Sequence, residues 1–244
     1  MKKKILLLIQ VRMGSKRLPR KSMLDLLGKP LIYRIVERLK RCKLPDEIVL
    51  ITSKKKENLV FKKISKNLGI KIYFGSENNL VDRHLKAAKK FNGQIIVRVP
   101  GDNCLSEPKE IDRIIKHHIN QKTRSFSSNL TNINMSGYPD GIGAEVFDYE
   151  TLKEIAKHKI SKVKKEHLSL NFFDYKKQKI INKNFCKVKT IKCPKAIAFP
   201  NLRFDVNFYK DYLFIKKIYE NFYNKKKYFN IKEVISYLQN EKLL

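Results

Sequence analysis

The chain reads as an α/β protein, a mainly parallel sheet with helices on both faces, and three observations lead there. Over roughly the first 120 residues, short apolar runs alternate with longer segments whose apolar residues recur at helical spacing. Helices placed between successive strands require right-handed crossovers, which make the strands parallel and the architecture three-layered. The opening apolar run, ILLLI from residue 5, breaks abruptly into a polar loop that contains Gly14. In open parallel sheets, loops at the carboxyl ends of the strands are where ligands bind.

Each element has a local reason. Residues 5–11 form a central strand, and Pro30 starts a helix that puts Ile32, Ile35, Val36 and Leu39 on one face. A second strand, 47–53, leads into a Lys-rich helix through Asn67, closed by Gly69, and a third strand covers 71–74. A helix over 79–91 and a strand over 94–100 follow; Glu107 and Pro108 then open a helix carrying Ile111, Ile114, Ile115 and Ile119. The second half is less regular. Strands are expected at 125–129 and 144–147, helices at 149–158 and 162–175, and strand material at 180–191. A short strand at 202–206 and helices at about 208–223 and 231–239 finish the chain. No composition shift marks a boundary, so residues 1–244 are read as one domain.

Composition narrows the function. The 244 residues are 42% hydrophobic, enough for a real core, and no apolar stretch reaches the length of a membrane span. The basic start is not read as a signal peptide, because Gln10 and Arg12 follow a run of only five apolar residues. Cys42, Cys104, Cys186 and Cys193 have no metal-ligand spacing and fit a reduced, cytoplasmic setting. A net charge of +31 points at first to nucleic acid, but only 11 of the 54 cations are arginine and the lysines are scattered along the chain. No arginine-rich cluster or aromatic RNA-binding motif is present, so no specific nucleic-acid partner is expected. The charge raises the local concentration of anionic small molecules instead.

The loop after the first strand carries Arg12, Ser15, Arg17 and Lys21 around Gly14. A glycine that lets backbone amides approach an anion, together with cations to neutralise it, makes a polyphosphate site. It is not a Walker A loop, because GxxxxGK[ST] is absent. Its spelling, with LGKP at 27–30, resembles the RxxSxRLPxK loop and GKP turn of the CTP-dependent sugar cytidylyltransferases. The closest likeness is to the branch named for spore-coat polysaccharide biosynthesis. Arg12, Ser15, Arg17, Leu18, Pro19 and Lys21 match, while Arg20 replaces a usual glycine.

The resemblance implies a Rossmann-like three-layer α/β/α nucleotidyltransferase fold. It also implies CTP and an acidic sugar as substrates, Mg²⁺ as cofactor, and a homodimer joined through a small arm within about 125–195. Asp102, in VPGDN, corresponds in the resemblance to a magnesium-binding aspartate; taken alone, a GD pair reads as a cap of the turn or of the following helix. Asp205, in NLRFDVN, corresponds to the second magnesium ligand, with a helix N-cap as its plain alternative and Asp211 as the other candidate. Two carboxylates suit Mg²⁺, which takes one or two of them plus phosphate oxygens and water. Gln10, Arg83 and Arg98 are assigned to the nucleotide with the loop; Arg83 otherwise reads as a surface residue paired with Asp82. YPDGIGAEVF resembles the family's YPDGLDVEVF and places Asp140 and Glu145 by the acceptor, with Gly143 where relatives carry aspartate. His167, after Glu166, is the remaining acceptor candidate. The catalytic group is then Arg12, Lys21 and Asp102; no Ser–His–Asp or Cys–His grouping is evident.

Overall fold

A computed structural model describes residues 2–181 and 185–243. Seven strands form one sheet in the order β3-β2-β1-β4-β6-β5-β9. β1 (Ile5–Gln10) lies at its centre between β2 (Glu47–Ser53) and β4 (Ile95–Pro100), and β3 (Lys71–Gly75) is the edge beyond β2. These four are mutually parallel, with Leu8 opposite Val49 on one side and Arg98 on the other. Residues 5–9 are at most 2% exposed, which explains the unbroken apolar run, since a central parallel strand is covered on both faces.

Alternation of side chains along β1 feeds two cores. Leu7 and Ile9 pack with α1 (Leu31–Leu39), α2 (Val60–Asn67), α4 (Pro108–Ile119), α7 (Tyr209–Phe222) and α8 (Ile231–Asn240). Leu6 and Leu8 pack with α3 (Leu80–Lys90), α5 (Tyr149–Lys157) and a stack of Phe126, Phe147 and Phe172. The three-layer, mainly parallel sheet expected from the sequence is therefore present. Its exception is β6 (Glu145–Asp148), which runs antiparallel to both β4 and β5 (Ser125–Ser128). β9 (Lys187–Lys189) pairs with β5 in parallel at the far edge.

The second half departs from the sequence reading in three places. The helix expected over 162–175 stops early: α6 is Lys162–Glu166, followed by a 3-10 turn and the short strand β7 (Phe173–Asp174). Asn171 ends it, donating from Nδ2 to the carbonyls of Lys164 (3.1 Å) and Leu168 (2.9 Å). A continuing helix would give those carbonyls to the amides of residues 168 and 172. The strand material expected at 180–191 is split. β8 (Lys179–Ile180) closes a small hairpin with β7, β9 joins the main sheet, and residues 182–184 lie outside those described. Finally, the strand expected at 202–206 is reduced to two isolated bridges, Arg203 with Asp140 and Asp205 with Asn103. Those bridges fix the site.

Candidate active site

The loops leaving β1 and β4 meet at the carboxyl end of the sheet because their strands are adjacent. Gly101 makes this approach possible: a Cβ there would lie 2.6 Å from the carbonyl oxygen of Gln10, to which the Gly101 amide donates at 2.8 Å. Asp102 follows directly. Lys21 Nζ lies 2.5 Å from Asp102 Oδ2 and donates to the carbonyl of Val206 at 2.7 Å. The Val206 amide in turn donates to the Asp102 carbonyl at 3.0 Å. One lysine of the β1 loop thus ties together two segments about one hundred residues apart, and it brings Asp102 and Asp205 to the same place.

Asp140 joins them. Its amide donates to the Leu202 carbonyl (2.8 Å), and the Phe204 amide donates back to its carbonyl (2.9 Å). Burial raises the Asp140 carboxyl to about 7, helped by the negative charges of Asp205 and Asp102 and opposed by Arg203. Arg203 donates from Nε and Nη2 to the two oxygens of Asp205 (3.2 and 3.1 Å), and its Nη2 lies 3.3 Å from Asp140 Oδ2. Asn207 Nδ2 also donates to Asp205. Asp211, the other candidate carboxylate, is a helix cap, accepting from the amides of Asn207 (2.9 Å) and Phe208 (2.8 Å) at the start of α7. Among the described residues no group of three or more His, Cys, Asp or Glu is placed to hold a metal ion. The hard oxygens of Asp102 and Asp205 are suited to a cation that keeps open positions for phosphate and water.

Inside the β1 loop, Gly14 is not in the left-handed region; a Cβ there would come 3.1 Å from Glu57 Oε1. The residue in the left-handed conformation is Arg20, at φ 58°, which is where the family resemblance expects glycine. Ser15 braces the loop from within, accepting from the Leu18 amide at 3.3 Å. Asn58 braces it from outside: Oδ1 accepts from the Met13 amide (2.8 Å) while Nδ2 donates to Ser53 (2.6 Å). Arg12 is half exposed, 3.6 Å from Glu77, and Arg17 lies over the ring of Phe208 at 5.6 Å. Lys55 also reaches Glu77, at 3.6 Å.

Arg83 is buried, not a surface residue paired with Asp82, which instead pairs with Lys86 at 2.9 Å. Its Nε and Nη2 donate to the carbonyls of Ser76 (2.7 Å) and Glu77 (3.0 Å), and burial lowers its pKa to about 10. Arg83 therefore shapes the loop that presents Glu77 to Arg12. On the same face of the sheet, Arg98 donates from Nε to Gln10 Oε1 (3.1 Å) and from Nη1 to Glu145 Oε2 (2.5 Å). Tyr175 donates to the other oxygen of Glu145 at 2.8 Å. Glu145 is fully buried with both oxygens engaged, so it holds Arg98 in place. Burial depresses the pKa of His167, opposed by Glu166 and helped by the charges of Arg98, Arg12 and Arg17.

Sequence reasoning missed Asn58, Tyr175 and Arg203. The pairing of Asn58 with Met13 and of Tyr175 with Glu145 is tertiary and left no local signal. Arg203 was visible beside Asp205 in NLRFDVN. A Ser–His–Asp chain does exist: His118 Nδ1 lies 2.9 Å from Ser127 Oγ and Nε2 lies 3.4 Å from Asp148. Ser127 is wholly buried, so this is packing between α4, β5 and β6 rather than a nucleophile.

A crossover sheet that places a cation-rich loop against paired aspartates at its carboxyl edge defines a nucleotidyltransferase. The chain belongs to the cytidylyltransferase family, whose model matches residues 6–234. It is 28% identical over 221 residues to the spore coat polysaccharide biosynthesis protein SpsF of Bacillus subtilis, covering 88% of this chain and 86% of that one. A shorter match, 33% over 114 residues, joins it to the 3-deoxy-manno-octulosonate cytidylyltransferase of Chloroherpeton thalassium, covering 46% of this chain and 45% of that one. A solved cytidylyltransferase from Leptospira borgpetersenii serovar Hardjo-bovis superposes with a TM-score of 0.86 at 26% identity, covering 99% of this chain and 96% of that one. The CTP complex of CMP:2-keto-3-deoxy-manno-octonic acid synthetase shares the fold at a TM-score of 0.64 and 15% identity, covering 89% of this chain and 99% of that one. Among the described residues no helix is long and apolar enough to cross a membrane.

Proposed function

We propose that this cytidylyltransferase moves CMP from CTP to an acidic sugar of the ulosonic type, releasing pyrophosphate, for a surface polysaccharide or glycolipid. The observation that carries the proposal is the Lys21 bridge, which joins the basic β1 loop to Asp102 and to the segment bearing Asp205. The names of the relatives support the acceptor class, through a spore-coat polysaccharide protein and a 3-deoxy-manno-octulosonate enzyme.

The reaction needs an acceptor oxygen in line with the α-phosphorus while the bond to the β-phosphate breaks. Arg12, Arg17 and Lys21, with loop amides near Gly14 and Ser15, neutralise the departing pyrophosphate. Gln10 and Arg98 line the nucleotide side, with Arg98 held there by Glu145 and Arg83 shaping the neighbouring loop. Asp140 and His167 face the acceptor. Asp102 and Asp205 would hold Mg²⁺, which supplies Lewis acidity to the α-phosphoryl oxygens when bound. The crowding of three carboxylates in one region, with only Lys21 and Arg203 set against them, supports a divalent cation there. The β7–β8 hairpin is our candidate for the dimer arm, and a cytoplasmic setting suits both CTP supply and four free cysteines.

Incubation with each of four NTPs, Mg²⁺ and a panel of ulosonic acids, read by pyrophosphate release and product mass, tests this. CMP-linked product from CTP alone is expected. Turnover confined to another NTP, or to phosphorylated acceptors, would replace the reading.

A further inference from the structure

Arg203 has no task in the mechanism above, yet it sits at its centre. Its backbone is fixed by the bridge to Asp140, with hydrogen bonds on either side from Asp140 to Leu202 and from Phe204 to Asp140. Its side chain is 62% exposed, so the guanidinium is free to turn while the Cα is not. In the structure that guanidinium covers both oxygens of Asp205 and reaches Asp140. A divalent cation at Asp205 requires one of those oxygens, and like charges do not share it. Arg203 must then give up at least one of its two bonds to Asp205, and its exposed side chain can swing about a Cα pinned two residues from the metal ligand. Lys21 is less free to make the same move, because its side chain is only 12% exposed and its ammonium is bonded to both Asp102 and the Val206 carbonyl.

A displaced guanidinium beside the metal offers a planar fork of donors that matches a carboxylate. In an ulosonic acid the carboxylate is attached to the same carbon as the anomeric hydroxyl that attacks. An acceptor hydroxyl held at the metal therefore brings its own carboxylate alongside. We propose that Arg203 reads the acceptor's carboxylate and rests on Asp205 and Asp140 until a divalent cation releases it. The inference rests on the acidic-sugar reading above.

Two measurements on wild type, Arg203→Lys and Arg203→Gln test it. The first is Mn²⁺ binding to the protein–CTP complex without acceptor, followed by electron paramagnetic resonance. The second is the acceptor KM for an ulosonic acid at saturating CTP. With its competitor removed, Arg203→Gln should bind Mn²⁺ several-fold more tightly, and the acceptor KM should rise roughly tenfold to a hundredfold, with Arg203→Lys between. Weaker Mn²⁺ binding with an unchanged acceptor KM would overturn the proposal and leave Arg203 as a prop for Asp205. If the wild type turns over no ulosonic acid, the acceptor class falls first and the carboxylate assignment with it. An unchanged KM in an enzyme that does use ulosonic acids sinks Arg203 alone.

Discussion

Lys21 is a small cation with two fixed partners, one ionic and one a backbone carbonyl. Its site is only partly buried, with Asp102 22% exposed, so removing the ammonium leaves a carboxylate that water can still reach. We expect Lys21→Ala and Asp102→Asn each to lower CMP transfer by a factor of about a hundred or more, because a charged contact to the transition state is worth ~2–4 kcal/mol. Melting temperatures should change far less; near-normal turnover in either variant contradicts the assignment. Asp140 gives a pH signature. Its folded pKa, raised from the ordinary carboxylate range to about 7, means that the folded state binds the proton more tightly than the unfolded one. Stability therefore falls as pH rises through that window and levels off above it. Asp140→Asn removes this penalty, so the metal-free variant should melt higher than wild type at pH 8 and alike at pH 4. Equal offsets at both pH values would mean that the carboxyl is not perturbed.

At the scale of elements, the β1 loop shows what sequence can and cannot express. Its cations and its place after a buried strand were legible, because charge and hydrophobic run are local properties. Which residue takes the left-handed backbone was not: the loop's glycine is Gly14, but the left-handed residue is Arg20. An L side chain in that region carries about 1–2 kcal/mol of strain, only part of which glycine's extra unfolded entropy offsets. Arg20→Gly should accordingly raise the melting temperature by a few degrees in a chain of this size, a shift that a thermal scan resolves. An unchanged or lower value would show that the Arg20 side chain, though exposed, has a compensating contact. The early end of α6 has the same origin as the Arg20 surprise. Asn171 takes carbonyls that helical periodicity assigns to backbone amides, and periodicity cannot see a side chain that competes for them. Of the line from Gln10 through Arg98 and Glu145 to Tyr175, three of the four members were named from the sequence and the tyrosine was not.

For the whole molecule, the question is what a net charge of +31 does. The arginines divide from the lysines in their use. Arg34, Arg38, Arg83 and Arg98 are buried and bonded to carbonyls or carboxylates, whereas lysines such as Lys2, Lys3 and Lys86 are more than half exposed. The arginines build structure and site; the exposed lysines give a diffuse field, screened over about 8 Å at physiological salt. A field without oriented donors attracts any polyanion and selects none. Binding to RNA or duplex DNA at 50 mM salt should therefore fall by at least a thousandfold by 200 mM, as expected when about six phosphate contacts are purely electrostatic. CTP, if held at close range by the β1 loop as proposed, should lose much less over the same interval. Filter binding and steady-state KM measured across one salt series separate the two. Nucleic-acid affinity that survives while CTP affinity collapses would assign the charge to a nucleic-acid partner and remove the basis for treating it as background.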